Sequence, residues 1–561
     1  MRILILGGYG VFGGRLARLL ADIDGLELVI AGRDGAAAER FCAGWRGAAV
    51  VRPLALDRRD VAEALARDRP QVLVDASGPF QGYGPDPYAV VRAAVAAGVN
   101  YLDFADGSDF VSGIGQFDAD AQARGVFVLS GVSSFPVLTA AVLREMAADM
   151  TIRKVTVGIA PSPYAGIGMN VMRAVLGYAG APVRLRRGGR AATGIGLGES
   201  LRCTIAPPGL LPLRNLRFSL VDVPDLQVIP AAMPDITDIW IGAGPLPETL
   251  HRLLNGLALL RHRLRLPPLA PLAPLCYAAL NRMKFGEHRG GMFVEASGDR
   301  NGRPVTRSWH LLAEGDDGPL IPSMAIEGII RKLIAGDAPP PGARSALSAL
   351  ALADYEALFR TRAISWGWRD DDAGLALYPA VLGHAFASLP PTLQSLHQPG
   401  RISVWRGRAE VSRGRGPVAS LVARLFGFPQ AGRDVPVEVT FTTDARGTET
   451  WSRRFGGRPM RSRQSIGAGR NERLMVERFG PFAFGLALVR DGARLRLVPR
   501  RWSVLGLPLP RALLPSGESF EEEVAGQFRF HVEIVLPFFG RVVCYEGWLE
   551  PSAQSERDVP S

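Results

Sequence analysis

The chain has 561 residues, 47% of them hydrophobic, and a formal net charge of +11. That length supports two to four domains with sizeable cores. All of its basic residues except Lys154, Lys284 and Lys332 are arginine, a bias spread along the chain with no nucleic-acid motif, so no nucleic-acid partner is expected. Cys42, Cys203, Cys276 and Cys544 form no C-x-x-C pair, and the histidines show no ligand spacing. A disulfide framework and a metal site are therefore not expected, and a cytoplasmic setting is.

The first element is an apolar run, Ile3 to Leu6, that ends in Gly7, Gly10 and Gly13 and passes at once into a helical pattern with Leu16, Leu19 and Leu20. A strand, a glycine turn and a helix N-terminus together form an anion site: free N–H groups and the positive end of the helix dipole meet a pyrophosphate. Gly7 turns the chain out of the strand, Gly10 leaves room for phosphate, and Gly13 lets the helix pack close. The spacing G-x-x-G-x-x-G departs from the commoner G-x-G-x-x-G, so its weight comes from its place between strand and helix. Because a cleaved segment could not carry this turn, no signal peptide is expected at the N-terminus. Tyr9, Val11 and Phe12 lie within the turn and are expected at the cofactor with the glycines.

The second strand, Leu26 to Ala31, ends in Gly32-Arg33-Asp34. A carboxylate at the end of this strand suits the ribose hydroxyls of NAD, whereas an arginine faces the 2′-phosphate of NADP. Arg33 therefore favours NADP; NAD is the alternative, with Asp34 one residue late. Alternation of strands and helices continues to about residue 150, through strands ending at Asp57, at Asp75-Ala-Ser-Gly-Pro-Phe80, at Tyr101-Leu-Asp103 and at Ser130. This is a doubly wound parallel sheet, a Rossmann domain, whose ligands sit past the carboxyl ends of the strands. Asp57 is expected at adenine or as a helix cap. Ser77, Gly78 and Pro79 are expected at the cofactor. Tyr83 and Asp103 are weak candidates for a proton donor or acceptor, with Tyr101 and Asp106 behind them.

From Val155 the pattern changes to an inserted α+β domain over 151–336. It includes a hairpin of 293–298 with 305–313 turning at Asn301-Gly302, and a closing helix over 322–335. Residues 250–281 are apolar but broken by arginines and prolines; this is too short an apolar run to span a membrane, and a candidate peripheral contact with one. The Pro-rich 338–342 opens an expected linker over 337–374. A C-terminal antiparallel, β-rich α+β domain over 375–551 follows. There Phe528, Phe530, Val532, Ile534 and Leu536 share one strand face, with a return across Pro537 to Gly540. His384 and His397 are expected at the surface or at helix ends.

Several motifs taken together resemble the saccharopine dehydrogenase-like oxidoreductases: Gly7-Gly-Tyr-Gly-Val-Phe-Gly13, Ala31-Gly-Arg33, Asp75-Ala-Ser-Gly-Pro-Phe80, Tyr101-Leu-Asp103, Ser130-Gly-Val-Ser-Ser-Phe-Pro136, Arg303-Pro-Val-Thr-Arg-Ser-Trp-His310 and Ile321-Pro-Ser-Met-Ala325. The resemblance covers residues 1 to about 336. It implies a Rossmann domain, an inserted α/β domain, a last helix returning to the first domain, and NAD(P)-dependent hydride transfer. Leu377-Tyr-Pro379, Arg453-Arg-Phe455 and Gly547-Trp-Leu-Glu550 resemble an uncharacterised bacterial domain often fused to such proteins, which implies no reaction. The fused domain and the apolar 250–281 segment point to a bulky or lipid-like substrate. The alternative is a nucleotide-sensing or lipid-binding scaffold without turnover.

Overall fold

In the computed structural model, residues 1–166, 168–245, 247–282, 284, 286–371, 375–398, 400 and 402–552 are described. The chain divides into two compact units, one of Met1–Leu201 with Leu216–Ser365, the other of Arg202–Asn215 with the chain from Trp366 onward.

The first unit holds two sheets. In the first, β1 (Arg2–Leu6), β2 (Glu27–Gly32), β3 (Val50–Ala55), β4 (Val72–Asp75), β5 (Asn100–Asp103) and β6 (Phe127–Ser130) are all parallel, in the spatial order 3-2-1-4-5-6. β1 and β4 are buried on both faces by helices, which is why they are short apolar runs without alternation. The order reverses beside β1, so the carboxyl ends of β1 and β4 open a crevice for a ligand.

Of the stretch 337–374, expected as a linker, 372–374 lie outside the described residues, and much of 342–370 forms strands and helices. Gly342–Ser345 adds a seventh parallel strand beside β6. The Asp118 carboxylate takes the Ala343 N–H at 2.8 Å, and the Arg144 guanidinium donates to the carbonyls of Leu347 and Leu350. Helix Leu352–Phe359 follows, and Ile364–Asp370 edges the second sheet. Four residues are too few to show a strand period, and the prolines at 339–341 mark only the turn before them.

The second sheet is mixed. Thr151–Ala160 lies at its centre between Asp238–Ala243, to which it is parallel, and the antiparallel hairpin Arg289–Arg300/Arg303–Glu314, which turns at Asn301-Gly302. Helix Ile321–Ile334 returns to the first domain along α1 (Val11–Leu19), where Ser323 Oγ donates to the Phe12 carbonyl (3.3 Å) and Arg331 to that of Leu19 (3.0 Å).

The second unit is more closed than a one-sided sheet. Its strands run in the order Phe482–Asp491, Met475–Phe479, Arg458–Ile466, Glu449–Phe455, Gly432–Thr443, Ile402–Arg413, Gly540–Pro551, Gln527–Leu536, Ser519–Val524 and Arg494–Val504. The last pairs back onto the first. The result is an antiparallel barrel with one core of inward side chains.

Candidate cofactor and substrate site

The turn after β1 is held by its backbone. The N–H groups of Gly7 and Gly8 both donate to the Ala31 carbonyl, at 2.8 and 3.0 Å, and the Gly10 N–H donates to the Gly7 carbonyl at 2.9 Å. Gly7 has φ +81°, and a Cβ there would stand 2.6 Å from the Ala76 oxygen; at Gly13 it would stand 2.4 Å from the Gly7 oxygen. These two positions thus permit only glycine. At Gly10 the protein atoms a Cβ would meet are those of Gly7 alone, so this side of the turn is open at the N-terminus of α1, where the first helical N–H groups lack intrahelical partners. This cradle fits a dinucleotide pyrophosphate.

Tyr9 leans from the turn across the end of β2. A Cβ on Gly32 would collide with its ring at 2.5 Å, and its hydroxyl accepts the Asp34 N–H at 2.9 Å. Asp34 is used as the cap of α2 (Gly35–Ala43), taking the Ala37 N–H at 3.0 Å. Arg33 is exposed, and among the described residues it makes no hydrogen bond or ion pair. The Asp57 carboxylate accepts from the Arg59 backbone (3.0 Å) and guanidinium (3.1 Å), as the cap of the short turn Arg58–Asp60. These bonds, with Arg33 nearby, hold its pKa below the usual carboxylate range.

At the end of β4 the fully buried Asp75 accepts from the Ser77 N–H (2.9 Å) and hydroxyl (2.6 Å), and the Tyr83 hydroxyl reaches Ser77 Oγ at 2.8 Å and Asp75 at 3.2 Å. The Arg58 guanidinium lies 3.5 Å over the Tyr83 ring. Burial and the Asp75 charge push the Tyr83 phenol far up, so it stays protonated at this strand end. Asn170 Nδ2 donates to the Gly78 carbonyl (2.8 Å), tying the inserted domain to the loop through Gly78 and Pro79.

Asp103 is also fully buried. One oxygen takes the N–H groups of Ala105 (2.9 Å) and Gly131 (2.7 Å), so it joins β5 to the end of β6. Burial pushes its pKa up to about 7, against these hydrogen bonds. It does not line the substrate cleft described below. Tyr101 is buried beside it.

Asp106, three residues beyond β5, accepts from Gln81 at 3.0 Å, and Asp222, after Leu216–Leu220, accepts from Ser108 at 2.8 Å. Burial pushes both carboxyls up; Asp222 adds to the rise at Asp106, and Asp109 to the rise at Asp222. The Tyr178 phenol is raised by burial and by this same pair. Two carboxyls and a phenol so placed each favour their protonated form more than they would in water. Asp106 was visible from its strand end. Asp222 and Tyr178 are distant in sequence, with no local spacing to mark them.

A cleft of about 300 Å³ opens at the N-terminus of α1. Val11, Phe12, Leu138, Met292, Leu311 and Ile321 supply its apolar wall, and Arg15, Ser134, Ser162 and Asn281 its polar groups. Phe12 stacks on Phe104 from the end of β5, ring centroids 5.5 Å apart. His251 is buried against Ser219 (2.9 Å), and burial lowers its pKa to about 4, so it is a neutral core residue. Among the described residues no group of side chains could hold a metal.

Residues 3–129 match the family described as the saccharopine dehydrogenase NADP-binding domain, and 389–549 match a domain of unknown function, DUF4166. The N-terminal domain is the cofactor domain of an NAD(P)-dependent oxidoreductase. Solved structures similar to the chain include a saccharopine dehydrogenase (L-Glu forming) from Saccharomyces cerevisiae, at 12% identity and TM-score 0.46, covering 66% of this chain and 99% of that one. An amine dehydrogenase from Mycobacterium smegmatis aligns at 13% identity and TM-score 0.31, over 63% and 95% of the two chains. A C. glutamicum DAP dehydrogenase in complex with DAP aligns at 16% identity and TM-score 0.32, over 62% and 93%. No curated protein sequence matches the chain.

Proposed function

We propose that the protein is an NADP-preferring oxidoreductase that moves a hydride to or from a bulky, lipid-like substrate. The observation that carries the preference is Arg33: it is exposed at the end of β2 and unpaired among the described residues, while the neighbouring Asp34 is committed to capping α2. A guanidinium so placed suits a 2′-phosphate. The apolar cleft beside Val11 and Phe12 supports the substrate class, since it offers surface to a hydrocarbon and few charged groups to a dicarboxylate.

When bound, the nicotinamide supplies the hydride. The turn from Gly7 to Gly13 would hold the pyrophosphate, and Phe12, stacked on Phe104, adds apolar surface to the cleft beside it. Asp106 and Asp222 lie outside that lining.

The helices Glu248–Leu264 and Ala273–Arg282 extend the proposal to a membrane surface. His251, Leu254 and Ala258 face inward, while Leu253, Leu260, Leu264 and Leu275 are exposed beside Arg252, Arg261, Arg263 and Arg265. An apolar face bordered by arginines suits an anionic bilayer interface. No helix among the described residues is long and apolar enough to cross a membrane.

Calorimetric titration with NADPH and NADH tests the reading. Arg33→Asp should weaken NADPH by about 10- to 100-fold, the worth of a charge-assisted phosphate contact, and NADH by less than about threefold. Equal losses overturn the phosphate pairing, and NADPH binding without oxidation of any acyl, enoyl or imino substrate favours the scaffold reading. Co-sedimentation with phosphatidylglycerol vesicles, lost in Leu260→Asp/Leu264→Asp, checks the membrane contact.

A further inference from the structure

The barrel of the second unit encloses a cavity of about 340 Å³, within the range of about 300–1,000 Å³ typical of small-molecule sites. Its wall comes from alternate residues on the strands, including Val437, Val439, Leu486, Leu497, Phe528 and Val532. The two ends differ. Strand register puts the turns at 414–431, 480–481, 505–506 and 537–539 at one end and those at 444–448, 492–493 and 525–526 at the other.

The second end is plugged. Helices Leu377–Leu382 and Pro391–His397 fill it with Tyr378 and His397, both fully buried and stacked with centroids 3.6 Å apart. His397 thus ends its helix, one of the two places expected from sequence, and does so inside the core. A polar floor lies here. Tyr378 donates its hydroxyl proton to Gln464 (3.2 Å), and Gln464 (3.3 Å), Ser462 (2.7 Å) and Arg453 (3.3 Å) all donate to Glu477, while His397 pairs with Glu521.

The first end is rich in apolar side chains, with Ser516, Ser519 and Glu533 among them. Phe426, Phe479 and Phe482 line it from inside, and Leu421, Leu425, Leu505, Leu507, Phe538 and Phe539 stand exposed on its rim, Phe538 at 88%. Rims of this kind are rare on monomeric surfaces without an apolar ligand to admit.

We propose that the barrel is a binding chamber for one neutral single-chain lipid, a long-chain alcohol, aldehyde or ketone. Its polar end rests on Tyr378 and Gln464, and its chain runs toward the aromatic mouth. The charge of the floor selects a neutral end. After burial, Glu521, Glu449 and Glu477 raise the pKa of the Tyr378 hydroxyl and Arg453 opposes them, while His397 faces Glu521 and Glu449. A carboxylate would add a fourth negative charge to a nearly dry site; a hydroxyl or carbonyl exchanges hydrogen bonds with two uncharged side chains.

Nile red, a neutral probe, tests the chamber on the full chain. It should bind saturably at one per chain with blue-shifted emission. 1-Dodecanol should displace it at about tenfold lower concentration than laurate, an advantage near 1.4 kcal/mol. Leu497→Trp, which fills the cavity, should weaken the probe about tenfold or more with its thermal transition retained. Where that variant fails to fold, the displacement order on the wild-type chain decides. Unsaturable binding, or binding untouched in a folded Leu497→Trp, overturns the chamber. Displacement by laurate at or below the dodecanol concentration overturns the neutral end.

Discussion

The glycine turn between β1 and α1 and the cavity of the barrel are the two candidate binding sites, but they are built from different material. At the first, backbone does the recognition: the Gly7 turn, the helix N-terminus and the strand ends approach one another so closely that a methyl group cannot be added. At the second, side chains from nine strands and from the plugging helices make wall and floor, and the strand backbone only sets their alternation. A backbone site tolerates no local substitution, and no second substitution restores it. A side-chain site can be rebuilt in pairs.

The largest effect expected from this contrast is at Gly13. Gly13→Val would force the turn and α1 apart, since even a Cβ stands 2.4 Å from the Gly7 oxygen. Loss of NADPH binding by more than about 100-fold, with about 3 kcal/mol of destabilisation, is expected by calorimetry and thermal unfolding. Repair by shortening a neighbouring side chain would break the comparison, because the clash is with backbone.

Asp103 gives the next effect. Its folded pKa, pushed up to about 7, exceeds the ordinary carboxylate value of 3.8. Between those values the folded chain binds more protons than the unfolded one, so stability falls as pH rises through that window, by at most about 4 kcal/mol. Asp103→Asn keeps an oxygen for the Ala105 and Gly131 N–H groups and carries no charge. Unfolding measured from pH 4 to pH 8 should be flatter in the variant by that amount; an unchanged slope would assign the pH dependence to other raised carboxyls, among them Asp75, Asp106, Asp222 and Asp225.

The same contrast explains how much was legible in the sequence. The cofactor turn is local: strand, three glycines and helix fall within nineteen residues, and Gly10 and Gly13 meet only atoms of that segment, while Gly7 meets Ala76 at the end of β4. The Rossmann order follows from buried parallel strands that read as plain apolar runs. The barrel strands from Val435 and from Phe528 also show their period, and the latter turns its five apolar residues into the cavity. Closure was not legible, because it also needs the pairing of Ile402–Arg413 with Gly540–Pro551, which are far apart in sequence. Asp222 and Tyr178 escaped for a related reason: only tertiary structure brings them to Asp106.

In the barrel, the side-chain site should be compensable. Glu477→Leu strands the Arg453 guanidinium, which is 13% exposed, and is expected to cost about 3 kcal/mol. Replacing both, Arg453→Met/Glu477→Leu, removes the stranded charge and should recover most of that loss in denaturant unfolding. A double mutant as unstable as the single one would mean that Ser462 and Gln464, not the charges, hold the floor together.

The smallest effect is at Asp34, and it sharpens the cofactor side of the comparison. Its carboxylate caps α2 through the Ala37 N–H, so Asp34→Ala should lose about 1 kcal/mol of stability. On the proposal that Arg33 at the end of β2 sets the ratio of NADPH to NADH affinity, this variant should leave that ratio within about twofold. A carboxylate bound to ribose hydroxyls would behave differently: its removal would weaken NADH strongly and NADPH less, since the phosphate occupies one of those positions. The calorimetric ratio, measured beside that of Arg33→Asp, therefore separates a side chain that shapes the helix start from one that touches the nucleotide.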